Sequence, residues 1–389
     1  MYDVVIGLEI HCELKSNSKN FSGATNGYCE QPNTQVSPID LGLPGIMPFL
    51  NKEAVKKAVK VAKALNCKIP ERMIFDRKNY FYPDLPKGYQ ITQVTDPVGT
   101  NGYVMFELDG EVKKVLIHDT HLEEDTANME HMSAYSLINY NRCGVPLLET
   151  VTEPCMSSSK EAIAFLETYR TILLYLGVSD ARADQGQIRC DVNISLKSKG
   201  STVLGTRTEM KNINSFANVK LAIESEIRRQ EEILNNGGKI EQETRRYDEV
   251  NDCTHLMRSK EDAIDYKYFI EPNIPPVPLT KEFLEEVEKE IPMLRYDRLV
   301  KYKEEYNLTE VEANTLTREK EISDYFEECI KLGINPKTAT NWITGPIISY
   351  LNKEEISIND IYLTPTLLNE LINLQNDGKI SSKQARGVL

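Results

Sequence analysis

The sequence predicts an α+β fold: an antiparallel-sheet domain over residues 1–292, then an all-helical domain over residues 293–389. Two patterns lead there. In the first three-quarters, period-two stretches are separated by helical stretches without strict strand–helix alternation, which argues against a doubly wound sheet. Beyond the proline-rich run Pro272–Pro278 every periodic stretch is helical. Repeated proline continues neither a helix nor a central strand, so a boundary is expected near that run. A chain of 389 residues also exceeds one ordinary compact domain, and 40% apolar residues suffice for two cores.

The first strand is the clearest. From Val4 to Leu14 the residues Ile6, Leu8, Ile10, Cys12 and Leu14 share one face, and Gly7, Glu9, His11 and Glu13 share the other. Asn51 is placed to cap a helix whose apolar positions are Val55, Ala58, Val59, Ala62 and Leu65. Tyr103–Asp125 reads as a hairpin turning at Asp109-Gly110. Ser159 starts a second helix, with Phe165, Leu166, Tyr169, Leu173 and Leu176 on one stripe and Gly177 as its stop. Gln187–Leu196 alternates again, with Arg189, Asp191, Asn193 and Ser195 on one face. Val203–Asn212 is its expected partner strand and sets Arg207, Glu209 and Lys211 on one side. Ser215 starts a third helix, with Val219, Ala222, Ile223 and Ile227, ending at Gly237-Gly238. Helices are then expected at about 281–290, 297–316, 319–332, 336–351 and 364–376.

The net charge of −13 disfavours non-specific polyanion binding, so any RNA contact must be local or supplied by a partner. Eight scattered cysteines without a C-x-x-C pair read as reduced thiols. No leader pattern opens the chain and no apolar run approaches 18 residues. A cytoplasmic protein without membrane contact is expected.

The chemistry-bearing residues are acids on strands. Glu9, His11 and Glu13 oppose an apolar face; they fit a divalent-cation site or a solvated outer face. His121-Leu122-Glu123-Glu124-Asp125 concentrates charge that a cation would relieve, or forms an acidic turn. Glu149, Asp191 and Glu209 leave apolar runs in the same way. Several strands each presenting a carboxylate fit a sheet floored by acids, as metal–ATP phosphoryl transfer requires. Arg189, Arg207 and Lys211 lie among these acids and would hold phosphates or act as their salt-bridge partners. Asp76–Gln90, aromatic and basic, reads as a loop that stacks bases or fills a satellite core. Walker A, dinucleotide-binding, HExxH and nucleophile-elbow motifs are absent from the sequence.

These residues carry a resemblance. Val5-Ile6-Gly7-Leu8-Glu9-Ile10-His11, Phe75–Asp84, His121–Asp125, Asn141–Glu149, Arg189–Asn193, Glu209–Phe216, Met257–Glu261 and Asp265–Phe269 resemble the B subunit of the aspartyl/glutamyl-tRNA amidotransferases over essentially the whole chain. The resemblance implies a cradle domain of the glutamine synthetase/guanido kinase type. It implies phosphorylation of the side-chain carboxylate of Glu-tRNA(Gln) or Asp-tRNA(Asn) by ATP with Mg²⁺, then amidation by ammonia. The partners implied are an amidase (glutaminase) A subunit, a small C subunit and tRNA(Gln) or tRNA(Asn). Glu9, His11, Glu124 and Glu149 would be metal or phosphate-site residues with Glu123 beside them. Lys78, Lys87 and Glu124 would lie where the ammonia path meets the active site, and Asp191 and Glu209 would extend the acidic floor. Some relatives hold zinc through four cysteines; here the matching stretches are Phe21-Ser22-Gly23-Ala24 and Ser37-Pro38-Ile39-Asp40, so zinc is not expected there. The sequence stops where a tail domain would begin, and its end reads as a truncation. A stand-alone carboxylate–amine ligase and a non-catalytic tRNA-binding scaffold are the alternatives.

Overall fold

The computed structural model describes residues 2–211, 213, 215–259 and 265–387. Asn212, Asn214, Lys260 and Glu261 of the motifs quoted above lie outside the described residues. The chain forms two compact units, Met1–Ile291 and Pro292–Leu389.

The first unit contains strands β1 (Tyr2–Glu13), β2 (Arg72–Met73), β3 (Asp76–Asn79), β4 (Tyr89–Thr92), β5 (Gly99–Leu108), β6 (Glu111–Glu124), β7 (Asn128–His131), β8 (Ser136–Asn139), β9 (Pro146–Thr152), β10 (Ile188–Ser198), β11 (Thr208–Lys211), β12 (Glu243–Asp248), β13 (Cys253–Ser259), β14 (Phe269–Ile270) and β15 (Val277–Pro278). Its helices are α1 (Lys52–Ala64), α2 (Ser159–Leu176), α3 (Phe216–Asn235) and α4 (Lys281–Lys289). Eight strands form one sheet in the order β13-β12-β11-β10-β1-β9-β6-β5. The hairpin β5–β6 turns at Asp109 (φ 55°) and Gly110 (φ 77°), the left-handed pair that a two-residue hairpin favours.

The sheet is mixed rather than wholly antiparallel, because β12 runs parallel to β11. The 20-residue helix α3 follows β11 and carries the chain back, so β12 enters from the same end. The strand expected over Val203–Asn212 contracts to Thr208–Lys211. Val203 and Leu204 are exposed, and at Gly205 a Cβ would lie 2.0 Å from the Leu196 carbonyl oxygen. Arg207 therefore stands before the strand. The Asp76–Gln90 segment is not one loop, since β3 and β4 pair across it.

One face of the large sheet is apolar. Ile6, Leu8, Ile10 and Cys12 are at most 1% exposed. Helix α2 packs on α3 and β5, and α3 packs on β10. Phe165, Leu166, Tyr169, Val219 and Ala222 are buried at these contacts, each large side chain contributing about 1.5–3 kcal/mol. The caps set the helix starts. The Asn51 side chain accepts from the Glu53 and Ala54 amides, and Ser158 accepts from the Glu161 amide, so the second helix starts at Ser159 as expected. With helices on that face, polar side chains collect on the other.

The proline-rich run lies inside this unit. Val277–Pro278 pairs with β2, and Lys56 and Lys63 of α1 form ion pairs with Glu286 and Glu288 of α4, as does Lys60 with Glu290 at the C-terminal cap of that helix.

The second unit comprises α5 (Arg295–Glu304), α6 (Glu310–Leu316), α7 (Lys320–Lys331), α8 (Pro336–Trp342), α9 (Ile348–Glu354), α10 (Pro365–Asn376) and α11 (Ser382–Arg386). Tyr302, Leu316, Phe326, Cys329, Ile343, Ile347 and Leu368 form its centre and are fully buried. The single helix expected at 297–316 is broken: Asn307 is left-handed at φ 52°, and Thr309 with Glu312 forms the capping box that starts α6. From α8 to α9 the chain stays helical through a π segment, Ile343–Ile347, where Pro346 supplies no N–H. Among the described residues no helix is long and apolar enough to cross a membrane.

Candidate active site

Strand alternation and register bring acids and imidazoles from five adjacent strands onto one face of the sheet. Glu9 of β1 lies opposite Asp191 of β10; His11 lies opposite Glu149 of β9 on one side and Arg189 of β10 on the other. On β6, His121 lies opposite Glu149, and Glu123 follows two residues on. Lys211 of β11 donates to Asp191 at 2.9 Å and lies 3.1 Å from Glu209.

Glu149 is the centre of the cluster. Its carboxylate is 3.3 Å from His11 Nε2 and 3.1 Å from His121 Nε2. His11 Nε2 is also 3.8 Å from Glu9 and 3.9 Å from Glu123. His121 Nδ1 is 2.8 Å from Asp119, which fixes the ring plane. Potential ligand atoms of Glu9, His11 and Asp191 lie within 4.8 Å of one another, as do those of His11, Glu123 and Glu149.

The electrostatics follow from crowding in a poorly solvated place. Burial and the Glu149 charge push Glu9 up to about 7. Burial and Glu149 also raise Glu123. Glu149 itself is held well below the carboxylate range: burial opposes ionisation, but His121 and His11 outweigh it. Burial works against the charged form of His121 as well, yet Glu149 and Asp119 lift it well above the ordinary imidazole value. The site thus has more carboxylates than its imidazoles neutralise, and Glu9 and Glu123 are the two whose charged forms are disfavoured. Oxygen donors with one or two imidazoles are a donor set that suits a hard divalent cation.

Lys78 of β3 lies over this face. Burial would lower its value, but Glu123, Tyr268 and Glu149 raise it. Its ammonium stands 5.0 Å from the Tyr266 ring centroid.

Glu124 is not with Glu9, His11 and Glu149. As the neighbour of Glu123 on a strand it points to the opposite side. There its carboxylate pairs with Lys87 (2.6 Å to Oε2) and accepts from the Ile91 amide at 2.9 Å. Both side chains of this pair are buried. Arg189 flanks the cluster, 3.2 Å from Asp125, which Arg142 also contacts at 2.6 Å. Arg207 lines a cavity of about 470 Å³ with Gly7, Val151, Asn193 and Thr206. Gly7, Val151 and Asn193 are each two residues along the strand from Glu9, Glu149 and Asp191, so the cavity continues the face that carries the acids.

His121, Asp119 and Arg142 were not assigned site roles by the sequence. The signal for the first two is the alternation Asp119, His121, Glu123, which puts all three on one face. For Arg142 no local pattern exists; its contacts to Glu13 and Asp125 are made by a 3₁₀ turn between distant strands.

Comparison with known proteins adds an independent observation. Residues 4–285 match the GatB/GatE catalytic domain family, and residues 324–389 match the GatB domain family. The chain is 49% identical over 388 residues to the B subunit of the aspartyl/glutamyl-tRNA(Asn/Gln) amidotransferase of Oceanobacillus iheyensis, covering 100% of this chain and 82% of that protein. It is 48% identical over 388 residues to the protein of the same name from Geobacillus thermodenitrificans, with the same coverage. For the one from Macrococcus caseolyticus the figure is 47% over 387 residues, again 100% and 82%.

Proposed function

This chain belongs to the family of aspartyl/glutamyl-tRNA amidotransferase B subunits, and we propose that it carries the carboxylate-activating step of tRNA-dependent amidation. The substrate is Glu-tRNA(Gln) or Asp-tRNA(Asn). A side-chain carboxylate oxygen attacks the γ-phosphorus of ATP, the bond to the β-phosphate oxygen breaks, and ADP leaves. Ammonia then attacks the carbonyl carbon of the acyl phosphate, inorganic phosphate departs, and the amide loses its extra proton. The ammonia comes from glutamine hydrolysed by the amidase partner, and the small third partner completes a cytoplasmic heterotrimer.

One observation carries this reading: a single sheet face gathers Glu9, His11, Glu123, Glu149, Asp191, Glu209 and Lys211 from five strands. We read that face as the floor of a cradle of the glutamine synthetase/guanido kinase type. Glu9, His11 and Glu149 would hold Mg²⁺, with Glu123 and Asp191 in reach; burial and the Glu149 charge hold Glu9 up at about 7, and a cation would favour its charged form. When bound, the ion would neutralise phosphate charge. His121, oriented by Asp119, holds the Glu149 carboxylate in place. Arg189, Arg207 and Lys211 would contact phosphate oxygens, and the cavity that Arg207 lines has the size of a small-molecule site. The buried Lys87–Glu124 pair, on the other side of β6, would line the approach of ammonia. Phe81 and Tyr82, both exposed between β3 and β4, offer aromatic faces to unpaired bases.

The test is ADP release from Mg-ATP by the complex reconstituted with its amidase and small partners. Turnover should require aminoacylated tRNA and should fall about 100-fold or more in Glu149→Gln. Turnover without RNA would instead indicate a small-molecule ligase. Absence of turnover in the wild type would leave a binding scaffold. Unchanged turnover in Glu149→Gln would refute the site.

A further inference from the structure

The edge hairpin β12–β13 carries a second group of potential ligands, which the register places on the same face as the acids but at the edge of the sheet, outside their cluster. Asp248, the last residue of β12, is paired directly with Cys253, the first residue of β13. His255 lies two residues beyond Cys253, hence on the same face of that strand. The His255 Nε2 atom is 3.4 Å from Cys253 Sγ and 3.2 Å from Asp248 Oδ2. One ligand atom from each residue lies within 4.8 Å of the other two.

We propose that Asp248, Cys253 and His255 form a binding site for a borderline-soft divalent cation of the zinc class. Zinc bond lengths of about 2.3 Å to sulfur and about 2.0–2.1 Å to nitrogen or oxygen give tetrahedral edges of roughly 3.5 Å (S to N) and 3.3 Å (N to O). The two distances to His255 Nε2, 3.4 and 3.2 Å, match those edges. The donor types point the same way. Thiolate with imidazole selects zinc over magnesium or calcium, and a carboxylate completes a three-ligand set with water in the fourth position.

The carboxylate is already oriented. Its Oδ1 accepts from the Val250 and Asn251 amides at 2.9 and 3.1 Å, which leaves Oδ2 facing His255 and the Asn251 side-chain amide. Binding displaces that one amide contact and releases the Cys253 thiol proton to the buffer. His255 is half-exposed, so a cation reaches the site from solvent. The consequence is a clasp across the turn Glu249–Asp252 at the outer edge of the sheet, where a hairpin has a neighbour on one side only.

Cobalt(II) replaces zinc in such sites and reports its ligands by absorption. Added to the full chain without ATP or magnesium, it should give one equivalent of a species with a thiolate-to-metal charge-transfer band and tetrahedral visible bands. Zinc should displace it. Cys253→Ser should abolish the charge-transfer band, and Asp248→Asn and His255→Ala should each weaken zinc binding at least about 10-fold. His11→Ala should keep the band, separating this site from the acidic cluster. Retention of the band in Cys253→Ser, or its absence from the wild type at saturating cobalt, overturns the assignment. Hydrogen exchange gives a second reading on wild-type protein: zinc should slow exchange of the β13 amides, and unchanged exchange at saturating zinc counts against the clasp.

Discussion

Replacing Lys87 by methionine keeps the volume and removes the charge, which strands the Glu124 carboxylate in the interior. The Lys87 and Glu124 side chains are 1% and 2% exposed, so water cannot take the place of the ammonium. The carboxylate would keep the Ile91 amide as its donor. Breaking a buried pair by removing one partner costs about 3–5 kcal/mol. Glu124→Gln in the Lys87→Met background should recover more than half of it, because the charge rather than the cavity sets the cost. Far-UV circular dichroism in urea measures the loss, and hydrogen exchange at the Ile91 amide localises it. A loss below 1 kcal/mol in Lys87→Met, or no recovery in the double variant, would refute the claim that this is a desolvated ion pair.

Three further outcomes follow from the packing. Glu226 is fully buried and accepts from Arg229, Gln230 and Thr254. Burial would raise its value, but those partners hold it below the ordinary 4.5. A depressed carboxylate stabilises the fold above its unfolded value, and that stability is lost as pH falls through the folded value. Glu226→Gln should therefore cost about 3 kcal/mol at pH 7, with a gap to wild type that narrows below pH 4.5 in urea titrations. At Gly102 of β5 a Cβ would meet Cys67 Sγ and the Leu65 carbonyl oxygen, each at 2.5 Å. Since that carbonyl cannot yield, Gly102→Ala should lose about 1–3 kcal/mol in the same assay. Phe326 packs edge-on against Tyr302 with centroids 4.8 Å apart, and Phe326→Ala should cost the second unit about 3–5 kcal/mol, read by Trp342 fluorescence.

The parts legible in the amino-acid order are those whose physics is local. Alternation along Ile6–Leu14 and Gln187–Leu196 fixes which side chains share a face, because successive strand residues point to opposite sides. Asn51, Ser215 and Gly177 fix helix ends through caps that involve only their own neighbours. Other features exist only once the chain has folded. Which strands lie side by side depends on sheet order, so the meeting of Glu149 with both His11 and His121 cannot be read from any one segment. The parallel β11–β12 pair depends on where α3 returns the chain. Glu124 illustrates both levels: alternation already separates it from Glu123, but its burial against Lys87, 37 residues away, is a long-range contact. Side-chain direction is set by the backbone period, whereas partners across a sheet are set by chain path, and only the first of these is written in neighbouring residues.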